Sequence, residues 1–476
     1  MRRRRSVLVA VVVLVALSGC ASPFAVSDGS LDTDRELGYV DEYGYDDTFG
    51  LDGSETLSED ELEAVTYRAM ARIEVLRGHK FERAVDVEIV DRDEYRDRDV
   101  RPAQPATNEL WRGAFVVDGE TDVNEAYDEL YGDSIRGYYQ DGTVALVVDD
   151  PDDARIDRTT LVHELVHALQ DQRLALSVEG ETLDERRAET GLIEGEADYL
   201  PTLYDDRCET EWECLEDVEP DPDDPDERPF NAGLFLSMYA PYSEGPAFVQ
   251  HLHESGGWDA VDAAYEERPA STSQLIRPET YPDDRPLEVG VPDRSTDGWE
   301  PLTDSNGDQK HTVGEATLFA TLWANGVIER PLEDGADDDS QYNYSHPITN
   351  GWGGDTFVAY RNGDRHGHVW RLAWESADDA ERFAQAYREL LAAHDAEPVD
   401  DDNDVYRIAD GDPFAGAYEI SLEGDEVLIV GGPTVESLDA IHDGEQASTA
   451  TPSLESPAAS TAVAIGVPTE SATAPP

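Results

Sequence analysis

The chain has 476 residues, 107 of them acidic and 35 basic, with Lys80 and Lys310 as the only lysines, and its formal net charge is −72. A surface of that sign repels phosphate, which excludes nucleic acid and acidic polymers as partners; it also repels itself until about 1 M salt shortens the Debye length to ~3 Å, so the composition predicts a halophilic protein. Hydrophobic residues make up 39%, with 21 Tyr, 11 Phe and 8 Trp, enough for a sizeable core and too many for an acidic disordered chain.

The N-terminus opens on Arg2 to Arg5, followed by an apolar run from Val7 to Leu17 and then Leu17-Ser18-Gly19-Cys20, which resembles a lipobox. The apolar run is shorter than the ~20 residues a membrane crossing needs, so residues 1–20 read as an export signal, with Arg4-Arg5 loosely fitting the twin-arginine pattern. Cleavage before Cys20 predicts a lipid on that thiol and a chain anchored at the extracellular face of the membrane. Residues 21–55 lack a sustained period and read as a flexible acidic tether. Over 58–77, Leu62, Val65, Ala69, Ile73 and Leu76 recur at helical spacing and Gly78 ends the pattern, predicting a structural helix. Between 84 and 149 the runs Val85–Val90 and Thr143–Val148 predict strands, the second entered through a hairpin turn at 137–143. A small sheet edge of this kind can bind an extended peptide by strand addition.

The stretch His163-Glu164-Leu165-Val166-His167 then announces a chemistry. On a helix, His163 and His167 share a face and can reach one tetrahedral metal ion, which sets Glu164 beside the ion's open position. Thr159 and Thr160 are candidate caps, and Leu161, Leu165, Ala168 and Leu169 supply apolar positions for burial. Residues 184–199 read as a second helix, in which Glu194 follows His167 by 27 positions, room for a loop and a return. Asp198, four residues later on the same face, can accept a hydrogen bond from a ligand histidine and fix its tautomer.

Two histidines with an intervening Glu, a later Glu and an acid four positions beyond it resemble the gluzincin branch of zinc metallopeptidases, as does Glu194-Gly195-Glu196-Ala197. The resemblance implies Zn2+ held by His163, His167 and Glu194, Glu164 as general base, Asp198 behind a ligand histidine, and a peptide or protein substrate. The wider string from His163 to Gln172, with Gly256-Gly257-Trp258 and Gly351-Trp352-Gly353-Gly354-Asp355, is similar to a group of haloarchaeal and bacterial secreted lipoproteins. Relatives in that group carry His-Pro-Glu-Lys-Tyr where this chain has Arg277-Pro278-Glu279-Thr280-Tyr281.

From 185 to 276 helices are predicted to dominate, interrupted by an acidic proline-rich loop at 219–229. Cys208 and Cys214 flank an acidic stretch and are candidates for a local disulfide, which an oxidising exterior favours. His251 and His253, two apart on a helix, cannot share a metal and read as packing or surface residues. Tyr199, Tyr242, His251 and Arg277 are candidates for stabilising a developing oxyanion. Farther on, a helix over 312–326, strands at 357–361 and 368–374, a helix over 378–391 and strands near 404–409, 416–422 and 426–430 predict a C-terminal α+β region. His366 and His368 read as a solvated strand edge there. Beyond Gly444 a Ser/Thr/Pro/Ala-rich stretch reads as a disordered tail.

The predicted fold class is therefore α+β. A zincin-like catalytic core with a small sheet and active-site helices spans 56–300, and a smaller α+β region over 301–443 packs on it. The leading functional expectation is a lipid-anchored extracellular zinc metallopeptidase. Its rivals are a non-catalytic surface binding or envelope-structural protein of the same fold, and a zinc hydrolase of non-peptide amides or esters.

Overall fold

The computed structural model describes residues 29–51, 56–96, 102–131, 135–174, 176–216, 231–303, 310–336, 340–399 and 404–443. The expected export signal with Cys20, the loop at 219–229 and the tail beyond 444 lie outside the described residues, as do parts of the expected tether.

The remainder of that tether is not loose. Residues 39–44 form a hairpin of β1 (Tyr39–Val40) and β2 (Tyr43–Gly44), which lies along α1 (Glu59–Arg77). Ser58 and Glu61 form a reciprocal capping box at the start of α1, and Gly78 ends it at φ 83°, a left-handed conformation that glycine adopts without strain. The apolar stripe Val65, Ala69 and Ile73 is buried as its spacing predicts, but so are Arg68, Arg72, Glu74 and Arg77. The segment expected as a tether covers the first three: Arg35 and the Gly38 N–H bind Glu74, Arg72 donates to the Tyr45 carbonyl at 2.8 Å, and Arg68 lies over the Phe49 ring. Charged side chains of the helix and scattered apolar residues of the segment, among them Val40, Tyr45 and Phe49, hold this layer down, and neither set forms a sustained period, which is why hydrophobic periodicity did not reveal it.

A three-stranded sheet follows, made of β3 (Asp86–Asp91), β4 (Gly137–Gln140) and β5 (Thr143–Val148) in the order β3-β5-β4. β3 and β5 are parallel and β4 is antiparallel at the edge. Asp141 and Gly142, at φ 51° and 92°, make the tight turn between β4 and β5. The same stretch, read from the sequence for its strands, also contains α2 (Arg92–Arg96), α3 (Pro105–Gly113) and α4 (Val123–Tyr131). α3 buries Ala106, Leu110 and Trp111, a helical face too short to stand out from its polar surroundings.

Helices then dominate: α5 (Arg158–Arg173), α6 (Leu183–Thr210), α7 (Ala232–Gly256), α8 (Trp258–Glu266) and α9 (Thr272–Ile276). Val65, Ile73, Val144, Leu146, Leu161, Leu165 and Leu200 make one core between α1, the small sheet, α5 and α6. Cys208 and Cys214, near the end of α6, are joined by a disulfide.

The largest sheet lies in the C-terminal region. β6 (Glu300–Pro301), β7 (Trp352–Asn362), β8 (Arg365–Trp374), β9 (Glu397–Pro398), β10 (Val405–Ile408), β11 (Gly416–Glu423) and β12 (Glu426–Gly432) pair antiparallel in the order β6-β7-β8-β12-β11-β10-β9. The period of two splits β7: Phe357 and Ala359 face a core with α3, α7, α10 (Glu315–Ala324) and α11 (Ala377–Ala393), whereas Val358 and Tyr360 face α12 (Val435–Ile441). Residues from 106 to 429 therefore share one core, and the sequence boundary at 300 is not a boundary of packing. His368, read as solvated, is fully buried in that core, its Nδ1 2.8 Å from Glu109 of α3 and its ring stacked on Phe357. The fold is α+β, and no described helix is long and apolar enough to cross a membrane.

Candidate metal centre

Asp157, not the threonines that follow it, caps α5: its carboxylate accepts the Thr160 N–H at 2.7 Å, which starts the helix at Arg158. One turn in, His163 and His167 project from the same face, with their Nε2 atoms 3.0 Å apart. α6 starts at Thr182, whose hydroxyl accepts the Glu185 N–H, and crosses α5 so that Glu194 Oε2 lies 3.4 Å from His163 Nε2 and 3.3 Å from His167 Nε2. The crossing depends on glycine. A Cβ on Gly195 would lie 2.3 Å from the Gly245 carbonyl oxygen of α7, so this turn of α6 is pressed directly on the backbone of its neighbour.

Three donor atoms 3.0 to 3.4 Å apart come close to the edge, about 3.3 Å, of a tetrahedron whose centre lies about 2.0–2.1 Å from each, the bond length of zinc to nitrogen and oxygen. All three side chains are buried, and they form the one group of three or more potential ligands found among the described residues. Glu164 is fully buried beside them, with no hydrogen-bond partner on either carboxylate oxygen. An unpartnered buried carboxylate is costly unless something of opposite character faces it.

The electrostatics point the same way. Burial disfavours a charged imidazole, yet Asp198, Glu194 and Glu164 outweigh it and hold His163 well above the usual histidine range. His167 is raised too, burial being overcome by Glu194 and Glu164. Burial also opposes ionisation of Glu194, but His167 and His163 bring it down to about 2. Burial dominates at Glu164 and raises it. The pocket thus favours positive charge between its carboxylates, and a divalent cation would satisfy the same field with the imidazoles neutral.

Asp198 Oδ1 lies 2.9 Å from His163 Nδ1. His167 has a counterpart absent from the sequence reading: Gln170 Oε1, 2.8 Å from His167 Nδ1. Its position three residues after His167 on one helix was a usable signal, since such pairs are neighbours. The groups behind Gln170 carried no such signal. They are Glu196, Tyr265 of α8 and, through an ion pair with Glu196, Arg77 of α1, the helix read as merely structural.

Three of the four candidate oxyanion groups have partners elsewhere, and the fourth, His251, lies on the surface. Arg277 makes two bonds to Glu315 at 2.7 and 2.6 Å, Tyr199 OH is 3.0 Å from His253 Nδ1, Tyr242 stacks on Tyr239, and His251 is exposed. The glycine- and tryptophan-rich strings are structural: Trp258 donates to the Leu76 carbonyl and covers Arg77, while Asp355 accepts the indole N–H of Trp352 and of Trp370.

Over this centre lies β4. A Cβ on Gly137 would come within 2.8 Å of Thr160 and 3.1 Å of Glu164, so glycine lets the edge strand cross at the base of Glu164. Arg136 accepts the Val147 N–H across the ladder, and antiparallel alternation therefore turns the backbone groups of Gly137 and Tyr139 toward the open edge.

Comparison with known proteins adds one finding. A family model described as a domain of unknown function (DUF8575) matches residues 300–442, the span from β6 to α12 that holds the seven-stranded sheet, and leaves the histidine pair outside the match. No curated protein and no solved structure matches the chain.

Proposed function

We propose that this chain is a zinc-dependent metallopeptidase of gluzincin type, exported and held at the outer face of the membrane by a lipid on Cys20. The observation that carries the reading is the buried triangle of His163 Nε2, His167 Nε2 and Glu194 Oε2, 3.0 to 3.4 Å on a side, next to a Glu164 carboxylate without a partner. When bound, zinc supplies a Lewis acid that lowers the pKa of water to about 7.

The chain's own residues divide the remaining work. Glu164 accepts the proton of the attacking water and returns it to the leaving amine, for which both its oxygens are available. Asp198 and Gln170 hold the two imidazoles with Nδ1 protonated and the Nε2 lone pairs converging. Gly137 and Tyr139 of β4 offer outward N–H and C=O groups to an extended chain, which favours a peptide over a small ester as the substrate.

The test measures zinc per chain and cleavage of an unstructured protein in high salt. Glu164→Gln keeps the shape of the site and should retain zinc while hydrolysis falls by about 10²–10⁴-fold. A wild-type chain without zinc, or a Glu164→Gln variant as active as wild type, would refute the reading. Zinc binding without hydrolysis of any peptide would instead favour a binding or structural role.

A further inference from the structure

We infer that Gln170 is a positioning residue that fixes the tautomer of His167, and that its own orientation is imposed by a buried network reaching α1. The inference rests on reading His163, His167 and Glu194 as a zinc site.

A glutamine amide can face either way, and its neighbours decide. Here the Gln170 Nε2 side meets the Ile193 carbonyl at 2.8 Å, Glu196 Oε2 at 3.1 Å and the Tyr265 hydroxyl at 2.9 Å. The Tyr265 proton is already given to Glu196 Oε2 at 2.5 Å, so all three groups present lone pairs. Flipping the amide would set its oxygen against them and leave buried acceptors unmatched, which the interior penalises. Oε1 must therefore face His167, and a carbonyl oxygen there is satisfied only by a proton on Nδ1. The His167 Nε2 lone pair is then directed at the point shared with His163 and Glu194.

Glu196 can serve as the anchor because it is itself held. Its other oxygen is ion-paired with Arg77 in the last turn of α1, and Arg77 also binds Asp262 of α8 at 2.5 Å and lies 4.5 Å over the Trp258 ring. His163 is treated differently: its partner Asp198, 2.9 Å away, is a partly exposed carboxylate. One ligand is oriented by a charge near solvent, the other by a neutral amide locked in the interior.

The experiment uses the full chain in high salt. It measures the zinc dissociation constant by chelator competition, and the His167 Nδ1–H resonance of the zinc-loaded protein, for wild type, Gln170→Ala and Tyr265→Phe. Gln170→Ala should weaken zinc binding by about 10–100-fold and expose the Nδ1 proton to rapid exchange. Tyr265→Phe removes a single hydroxyl and should weaken binding by about 2–5-fold, which keeps the test decisive if Gln170→Ala does not fold. Variants that fold and hold zinc as tightly as wild type, with the Nδ1 proton still protected, would overturn this inference alone, because a purely structural glutamine would change only stability. A wild-type chain that binds no zinc would overturn the metal reading and this one with it.

Discussion

Replacing Gly195 by alanine tests whether the approach of α6 to α7 places Glu194. The added Cβ would lie 2.3 Å from the Gly245 oxygen, 2.4 Å from its carbonyl carbon and 2.8 Å from its Cα, where ordinary contacts begin at 3.4 Å. All three obstacles are backbone, so no rotamer change relieves them and the helices must part by about 1 Å. Overpacking of this kind costs about 1–3 kcal/mol, and backbone contact on three atoms belongs at the upper end; alanine's better helix propensity returns about 1 kcal/mol. The expected net loss is about 2 kcal/mol. Glu194 rides on the same turn, and a displacement near 1 Å is large against a bond of about 2 Å, so zinc affinity should fall as well. Urea unfolding in high salt measures the first effect and chelator competition the second. Gly290→Ala is the control, because nothing lies within 4 Å of a Cβ there, and its change should stay within about 0.5 kcal/mol. A Gly195→Ala protein as stable as wild type, with unchanged zinc affinity, would refute the argument that this crossing is set by glycine.

Two further outcomes are expected. Asp184, at the start of α6, is buried with one carboxylate oxygen unpartnered, and burial, reinforced by Asp355, pushes it up from 3.8 to about 7. The native state then keeps a proton that the unfolded chain has released, so stability should decline as pH rises from about 4 to about 7 and level off above. Asp184→Asn should remove that slope and be the more stable protein at pH 8, with about 4 kcal/mol as an upper bound; a variant less stable than wild type at pH 8 would contradict this. The formal charge of −72 predicts a thermal midpoint that climbs as salt is raised toward about 3 M, and a midpoint indifferent to salt would rule out self-repulsion as a controlling term.

Much of the centre was legible along the chain because helical geometry is local. A spacing of four sets His163 beside His167, a spacing of four sets Asp198 on the face of Glu194, and Gly78 and the Asp141-Gly142 turn mark where elements end. What the spacing left open was everything that depends on which surfaces meet. Glu194 reaches the histidines because Gly195 lets α6 lie on Gly245, and β4 crosses Glu164 because residue 137 has no side chain. Gln170 is oriented by Tyr265, 95 positions away, and through Glu196 by Arg77 of α1; α3 joins the C-terminal sheet through Glu109 and His368, 259 positions apart. Repeats of 3.6 and 2 record which side of an element is apolar, whereas a buried ion pair or a glycine contact leaves no period in the sequence. Only the packed structure decides such partners, since each exists through the exclusion of water and the absence of a clash at one point in space.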